Sequence, residues 1–122
     1  MQESYSDIGN RRGAARTEVS GVLARVHGLD GEYAAKDMSS NGVGLDYTAN
    51  MKAGDPVKLS LYEYGELIAA EVPARVAHSG GQLTGLYFDN LESYQYDAIY
   101  SYVLDTQLDE IQNYKYISPY YI

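Results

Sequence analysis

Residues 17–88 consist of short apolar and β-branched runs, each ended by glycine, asparagine or proline. This pattern is typical of antiparallel strands joined by tight turns. The predicted strands cover residues 19–26, 32–36, 42–47, 57–63, 67–77 and 83–88. Six strands of this length suit a small β-barrel.

The last third of the chain changes to a helical period, because its apolar residues recur at steps of three and four. These residues are Tyr96, Ile99, Tyr100, Val103, Leu104, Leu108 and Ile111. They predict one amphipathic helix. Asp89, with Glu92 three residues later, resembles a capping box, so we expect the helix to begin near Asn90. The predicted fold is mainly β, a six-stranded antiparallel barrel with a C-terminal α-helix.

Length and composition predict one domain with short extensions. The chain has 122 residues, and the polar segment 1–10 shows no strand or helix period, which predicts a mobile arm. The predicted domain covers residues 11–112. The tyrosine-rich segment 113–122 is interpreted as either a frayed end or a partner-binding tail.

Charge and residue usage exclude several classes of function. A net charge of −8 argues against binding to DNA, RNA or anionic lipid through bulk charge, although it is compatible with a small anionic ligand at a local basic site. The 14 tyrosines are therefore interpreted as covers for sheet and helix faces. The absence of cysteine excludes disulfides, thiolate metal sites and a cysteine nucleophile. No apolar run approaches the ~20 residues of a membrane span, so we expect a soluble cytoplasmic protein without membrane insertion.

The residues that could support catalysis are few. His27 and His78 are the only imidazoles, and neither has a second ligand at metal-like spacing, so each is interpreted as a surface or turn residue. No serine lies in a Gly-x-Ser-x-Gly elbow, and no acid and base carboxylate pair can be assigned. Gly42 and Gly44 are interpreted as backbone flexibility. We therefore expect no catalytic residues and no metal site; an enzyme on a barrel would need a cleft with a perturbed acid or histidine.

Positive charge is concentrated at one place. Arg11, Arg12 and Arg16 put three of the nine basic residues into a six-residue window, and an Asp37-to-Gly42 segment follows about twenty residues later. The two segments together resemble the PilZ domain, whose pattern is Arg-x-x-x-Arg followed by Asp or Asn-x-Ser-x-x-Gly. Arg12, Arg16, Asp37, Ser39 and Gly42 match that pattern at its internal spacing. The resemblance extends over roughly residues 11–110.

The resemblance implies a receptor for cyclic di-GMP, with no other cofactor. The implied ligand-binding residues are Arg11, Arg12, Arg16, Asp37, Ser39 and Gly42. An arginine can bind a phosphate through two hydrogen bonds, grip guanine O6 and N7, or stack on the base. Asp37 could accept from guanine N1 and N2 or hold an arginine, and Ser39 could donate to a phosphate or bond the local backbone. Because family members with a basic residue before the motif often bind a stacked pair of ligands, Arg11 favours a pair.

The resemblance also implies a bacterial cytoplasmic adaptor. We expect ligand binding to order the arginine-bearing arm and to alter a surface read by an effector protein in motility, adhesion or exopolysaccharide control. The C-terminal helix or the tail is the expected contact face. The alternative is a PilZ-like protein-interaction module that does not bind nucleotide.

Overall fold

The computed structural model describes residues 16–47 and 51–117. Within these ranges the chain forms seven strands and one helix. They are β1 (Thr17–Glu18), β2 (Val22–Val26), β3 (Tyr33–Ser39), β4 (Gly42–Leu45), β5 (Pro56–Glu63), β6 (Glu66–Gly80), β7 (Leu83–Phe88) and α1 (Ser93–Ile117).

The strands close into an antiparallel barrel. Pairing runs in the order β3, β2, β5, β6, β7 and β4, and β4 returns to pair with β3. β1 pairs with the end of β3 that β2 does not reach, so β1 and β2 share one of the six positions in the ring. The predicted six-stranded barrel with a C-terminal helix is confirmed. The single strand predicted over 19–26 is divided at Ser20 and Gly21.

The barrel is filled by aliphatic side chains from alternate strand positions. The largest fully buried apolar side chains are Met38, Leu45, Leu59, Leu61, Leu86, Ile99, Val22, Val43, Val72 and Val76. Of these, only Ile99 comes from α1. The helix therefore packs on the barrel, and the strands supply most of the core.

Closure of the barrel requires two backbones to approach closely at Gly42. Gly42 lies opposite Tyr87 of β7, and a Cβ at this position would lie 2.3 Å from the Leu86 carbonyl oxygen. No real Cβ fits at that distance, because the atom it meets is backbone. Gly42 is thus an extended strand residue with a steric role, and its interpretation as backbone flexibility is wrong.

The helix begins later than predicted. α1 starts at Ser93, and the backbone N–H groups of Gln95 and Tyr96 donate to the Glu92 carbonyl. Gln95 Oε1 accepts from the Glu92 N–H at 2.9 Å, so the half capping box joins Glu92 to Gln95. The predicted start near Asn90 is wrong because the Asp89 carboxylate instead accepts from Arg75 Nε at 2.9 Å.

Gln95 also fixes the helix to the barrel. Its side chain is buried, and its Nε2 donates to the carbonyl oxygens of Ala70 (2.9 Å) and Glu71 (3.0 Å) on β6. Glu71 has a positive φ of 53° at a point where the β5–β6 register shifts. The Glu71 N–H donates to Ser60 Oγ, so the irregular backbone is satisfied by side chains from two other elements.

The apolar residues of α1 divide between two faces. Ile99 and Val103 are buried against the barrel, and burial raises the pKa of Tyr102, whose hydroxyl donates to Glu63 at 3.1 Å. The other five apolar residues of the predicted period are exposed: Tyr96, Tyr100, Leu104, Leu108 and Ile111. We call these five the exposed stripe. The helix continues to Ile117, so residues 113–117 of the predicted tail are helical, and residues 118–122 lie outside the described ranges.

Truncation of the buried and exposed helix positions should have different effects. We expect Ile99→Ala to lower the free energy of unfolding by about 2–5 kcal/mol, because it leaves a cavity between helix and barrel. Leu108→Ala removes an exposed side chain and should change it by no more than about 0.5 kcal/mol. Urea denaturation of both variants measures the difference, and equal losses would contradict this packing.

Gly42 offers a second test of the fold. Gly42→Ala should lower the free energy of unfolding by about 1–3 kcal/mol, because the new methyl group overlaps the Leu86 carbonyl. Gly80→Ala is the matched control, since a Cβ there meets nothing within 4 Å. In thermal unfolding, the midpoint temperature of the Gly80→Ala control should equal or slightly exceed that of the native protein. A fully stable Gly42→Ala protein would argue against close contact between β4 and β7.

Candidate functional site

The two sequence motifs meet at an ion pair. Arg16 directly precedes β1, whose Thr17 and Glu18 pair with Met38 and Asp37 of β3. This register places the Arg16 guanidinium beside the Asp37 carboxylate, with Nη1 and Oδ1 2.5 Å apart. Tertiary pairing thus unites residues separated by 21 positions in the chain.

Solvent exposure limits what this pair contributes to stability. The side chains of Arg16 and Asp37 are 53% and 28% exposed. Exposed pairs of this kind contribute only about 0–1 kcal/mol. The pair can therefore reorganise around a ligand at little cost in fold stability, and its value lies in the placement of the two groups.

Ser39 belongs to the turn that follows. Its side chain is buried, and Ser39 Oγ accepts from the Asn41 N–H at 3.0 Å. The Asn41 carbonyl accepts from the Phe88 N–H at 2.8 Å, which ties the β3–β4 turn to the end of β7. Of the two roles left open for Ser39, the structure contains the bond to the local backbone.

A row of glycines crosses the outer face of the barrel next to this turn. Gly44 lies opposite Asp37 on one side and Gly85 on the other. A Cβ on Gly44 would lie 2.9 Å from Asp37 Oδ1, and one on Gly85 would lie 2.6 Å from His78 Cε1. With Gly42 they form what we call the glycine row. The missing side chains leave space that Asp37 and His78 use, so the flexibility interpretation is wrong for Gly44 as well.

A surface cavity of about 610 Å³ opens over this region. It is lined by Arg16, Ser39, Asn41, Gly42, Ala77, His78, Gly85, Leu86, Tyr87 and Phe88. The volume is in the range of small-molecule sites, roughly 300–1,000 Å³. Two other cavities, of about 360 and 440 Å³, lie near His27 on another part of the barrel.

The predicted site residues are brought together where they are described. Arg16, Ser39 and Gly42 line the cavity, and Asp37 contacts it through Arg16. Arg11 and Arg12 lie outside the described residues. Sequence reasoning missed Gly85, Tyr87 and His78, because their place in the site follows from the pairing of β6, β7 and β4. The motif Gly85-Leu86-Tyr87-Phe88 indicated a strand but no site.

Two further observations concern the part of the chain that the structure describes. There, no three histidine, aspartate or glutamate side chains are grouped as a metal site would require. None of its helices has both the length and the apolar character needed to cross a bilayer.

Comparison with solved structures gives the same fold. The PilZ domain of CeSA from a cellulose-synthesizing bacterium is 15% identical, with a TM-score of 0.59 over 76% of this chain and 98% of that one. The Bacillus subtilis inhibitor of motility MotI is 16% identical, with a TM-score of 0.67 over 81% of this chain and 52% of its own. An uncharacterized Legionella protein is 18% identical, with a TM-score of 0.55 over 80% of this chain and 98% of that protein.

Comparison by sequence assigns the family. No curated protein matches the sequence. The family model of the PilZ domain matches residues 10–105, which include both motifs and every strand of the barrel. The chain belongs to the PilZ domain family.

Proposed function

We propose that this protein is a cyclic di-GMP receptor that acts as an adaptor in the bacterial cytoplasm. The observation that carries the proposal is the Arg16–Asp37 pair at the edge of a cavity that Gly42 and Gly85 also line. PilZ domains in general receive this messenger. In this chain Arg16 from the first half of the motif and Ser39 from the second line the same cavity.

The exposed half of Arg16 is the part available to a ligand. A guanidinium carries five N–H donors in one plane, and the contact with Asp37 uses one nitrogen. The remaining donors suit a phosphate or the O6 and N7 edge of guanine. Asp37 then holds the arginine in place or accepts hydrogen bonds from guanine N1 and N2. Arg16 and Asp37 together can therefore bind both the phosphate and the guanine of the messenger.

Arg11 and Arg12 complete the proposed site from the segment before β1. Arg12 and Arg16 are four positions apart in the sequence, so their Cα atoms are at most about 14 Å from each other. The long arginine side chain adds to this reach, and we propose that it extends to the cavity. In a protein of net charge −8, these three arginines supply the local positive charge that a doubly anionic ligand requires. We propose that binding neutralises them and fixes the N-terminal arm on the barrel.

The signal then passes to an effector protein. The exposed stripe on α1 is an apolar surface of the kind that protein contacts use, and we propose it as the contact face. The names of the similar structures, a cellulose-synthesis PilZ domain and an inhibitor of motility, point to exopolysaccharide or motility control as the process. We propose no catalytic step and no cofactor besides the messenger.

Calorimetric titration with cyclic di-GMP tests the site. We expect Arg12→Ala and Arg16→Ala each to weaken binding at least about tenfold, because each removes charge-assisted hydrogen bonds worth about 1.5–3 kcal/mol. Arg25→Ala is the matched control, since Arg25 is also an exposed arginine paired to a carboxylate, that of Glu32, outside the cavity.

The outcomes separate the competing functions. No heat with the native protein would favour the module that does not bind nucleotide. Equal affinities for all three variants would leave a receptor but reject this site. Recovery of hydrolysed messenger after incubation would identify an enzyme.

The stoichiometry tests the role of Arg11. We propose that Arg11 holds a second messenger molecule stacked on the first, through a phosphate or a guanine edge. The native protein should then saturate with a pair of ligands per chain and Arg11→Ala with a single one. Sedimentation and calorimetry together give the ratio. A single ligand on the native protein would reject the pair while leaving the receptor intact.

A further inference from the structure

We infer that His78 is a guanine-stacking residue of the cavity and forms the wall opposite the Arg16–Asp37 pair. This inference rests on the proposed function and adds a contact that lies outside both sequence motifs. It also gives a role to one of the two imidazoles that the sequence alone assigned to the surface.

The strand register sets the two walls facing each other. Asp37 pairs with Gly44, Gly44 with Gly85, and Gly85 with His78, in one continuous row across β3, β4, β7 and β6. Asp37 and His78 are thus the only side chains of that row, and both lean over the glycines between them. Because neighbouring strands are about 4.8 Å apart, the row spans about 14 Å along the sheet. The cavity lies over the Gly85 end of this row, and Arg16 and His78 both line it.

A β-bulge turns His78 toward this floor. Val76 pairs with Leu86 and His78 with Gly85, so Ala77 is an extra residue without a partner on β7. Val76 is buried, whereas Ala77 and His78 are both exposed and both line the cavity. Strict alternation would have turned one of two neighbouring side chains into the core. Bulges that redirect a side chain are typical of binding sites.

The imidazole has the chemistry that a purine requires. Its ring lies over Gly85, where any side chain would collide with it, and His78 is an exposed residue that lines the cavity. An aromatic ring can stack on the face of any nucleobase, whatever hydrogen bonds the edge of that base makes. A guanine whose polar edge faces Arg16 and Asp37 would therefore present its face to His78.

The two histidines allow a direct test on the full-length protein. Because the chain contains only His27 and His78, its ring Cε1–Hε1 spectrum has two signals, assigned with His27→Ala and His78→Ala. On titration with cyclic di-GMP, the His78 signal should move by ring-current shift and saturate with the calorimetric binding curve. The His27 signal, which belongs to other cavities, should stay in place.

Variants separate stacking from a structural role. His78→Ala should weaken binding about tenfold, whereas His78→Phe should retain most of the affinity, because an aromatic face is preserved. His27→Ala, the matched control, should bind like the native protein. Gly85→Ala should weaken binding as well, because its methyl group displaces the imidazole.

The results distinguish this inference from the proposed function. Ligand binding with an unmoved His78 signal, or with full affinity in His78→Ala, would overturn the role of His78 and leave the receptor intact. A loss in His78→Phe equal to that in His78→Ala would reject stacking. The absence of any binding by the native protein would overturn both.

Discussion

Closure of the barrel depends on β4, a strand of four residues whose positions are all buried. β4 joins β3 to β7, and without it the sheet would remain open at two edges. The strand can occupy this narrow space because Gly42 and Gly44 carry no side chain where Leu86 and Asp37 lie. Gly42 also lines the cavity, so a residue that closes the barrel is part of the candidate site as well.

The site is built from weak interactions on a rigid support. Arg16 and Asp37 make an exposed pair that adds little to stability, whereas the Ser39 turn is buried and hydrogen-bonded to its own backbone. A ligand can therefore exchange the partners of the arginine without disturbing the strands. In the proposed receptor, the buried turn would stay in place while the exposed ion pair exchanges its partners for the ligand.

The helix illustrates how one pattern can serve two surfaces. Ile99, Val103 and Gln95 attach it to the barrel, with Gln95 satisfying both the helix start and an irregular stretch of β6. The exposed stripe lies on a different side of the same helix. Apolar periodicity predicts that a helix has apolar residues on its faces, but it does not predict which of those residues are buried against the barrel and which remain exposed.

The sequence by itself determined the six-stranded ring of the barrel, the presence of the helix and the residues of the two motifs, because these depend on local alternation, turn residues and short spacings along the chain. It also led to Arg16 and Asp37 as neighbours, through a family resemblance rather than through periodicity. Only the tertiary structure decided that His78 lies over Gly85, that Glu92 rather than Asp89 caps the helix, and which helix residues are buried. Each of these depends on a bulge, a register or a long-range hydrogen bond, and such features follow from which strands become partners, information that no local pattern contains.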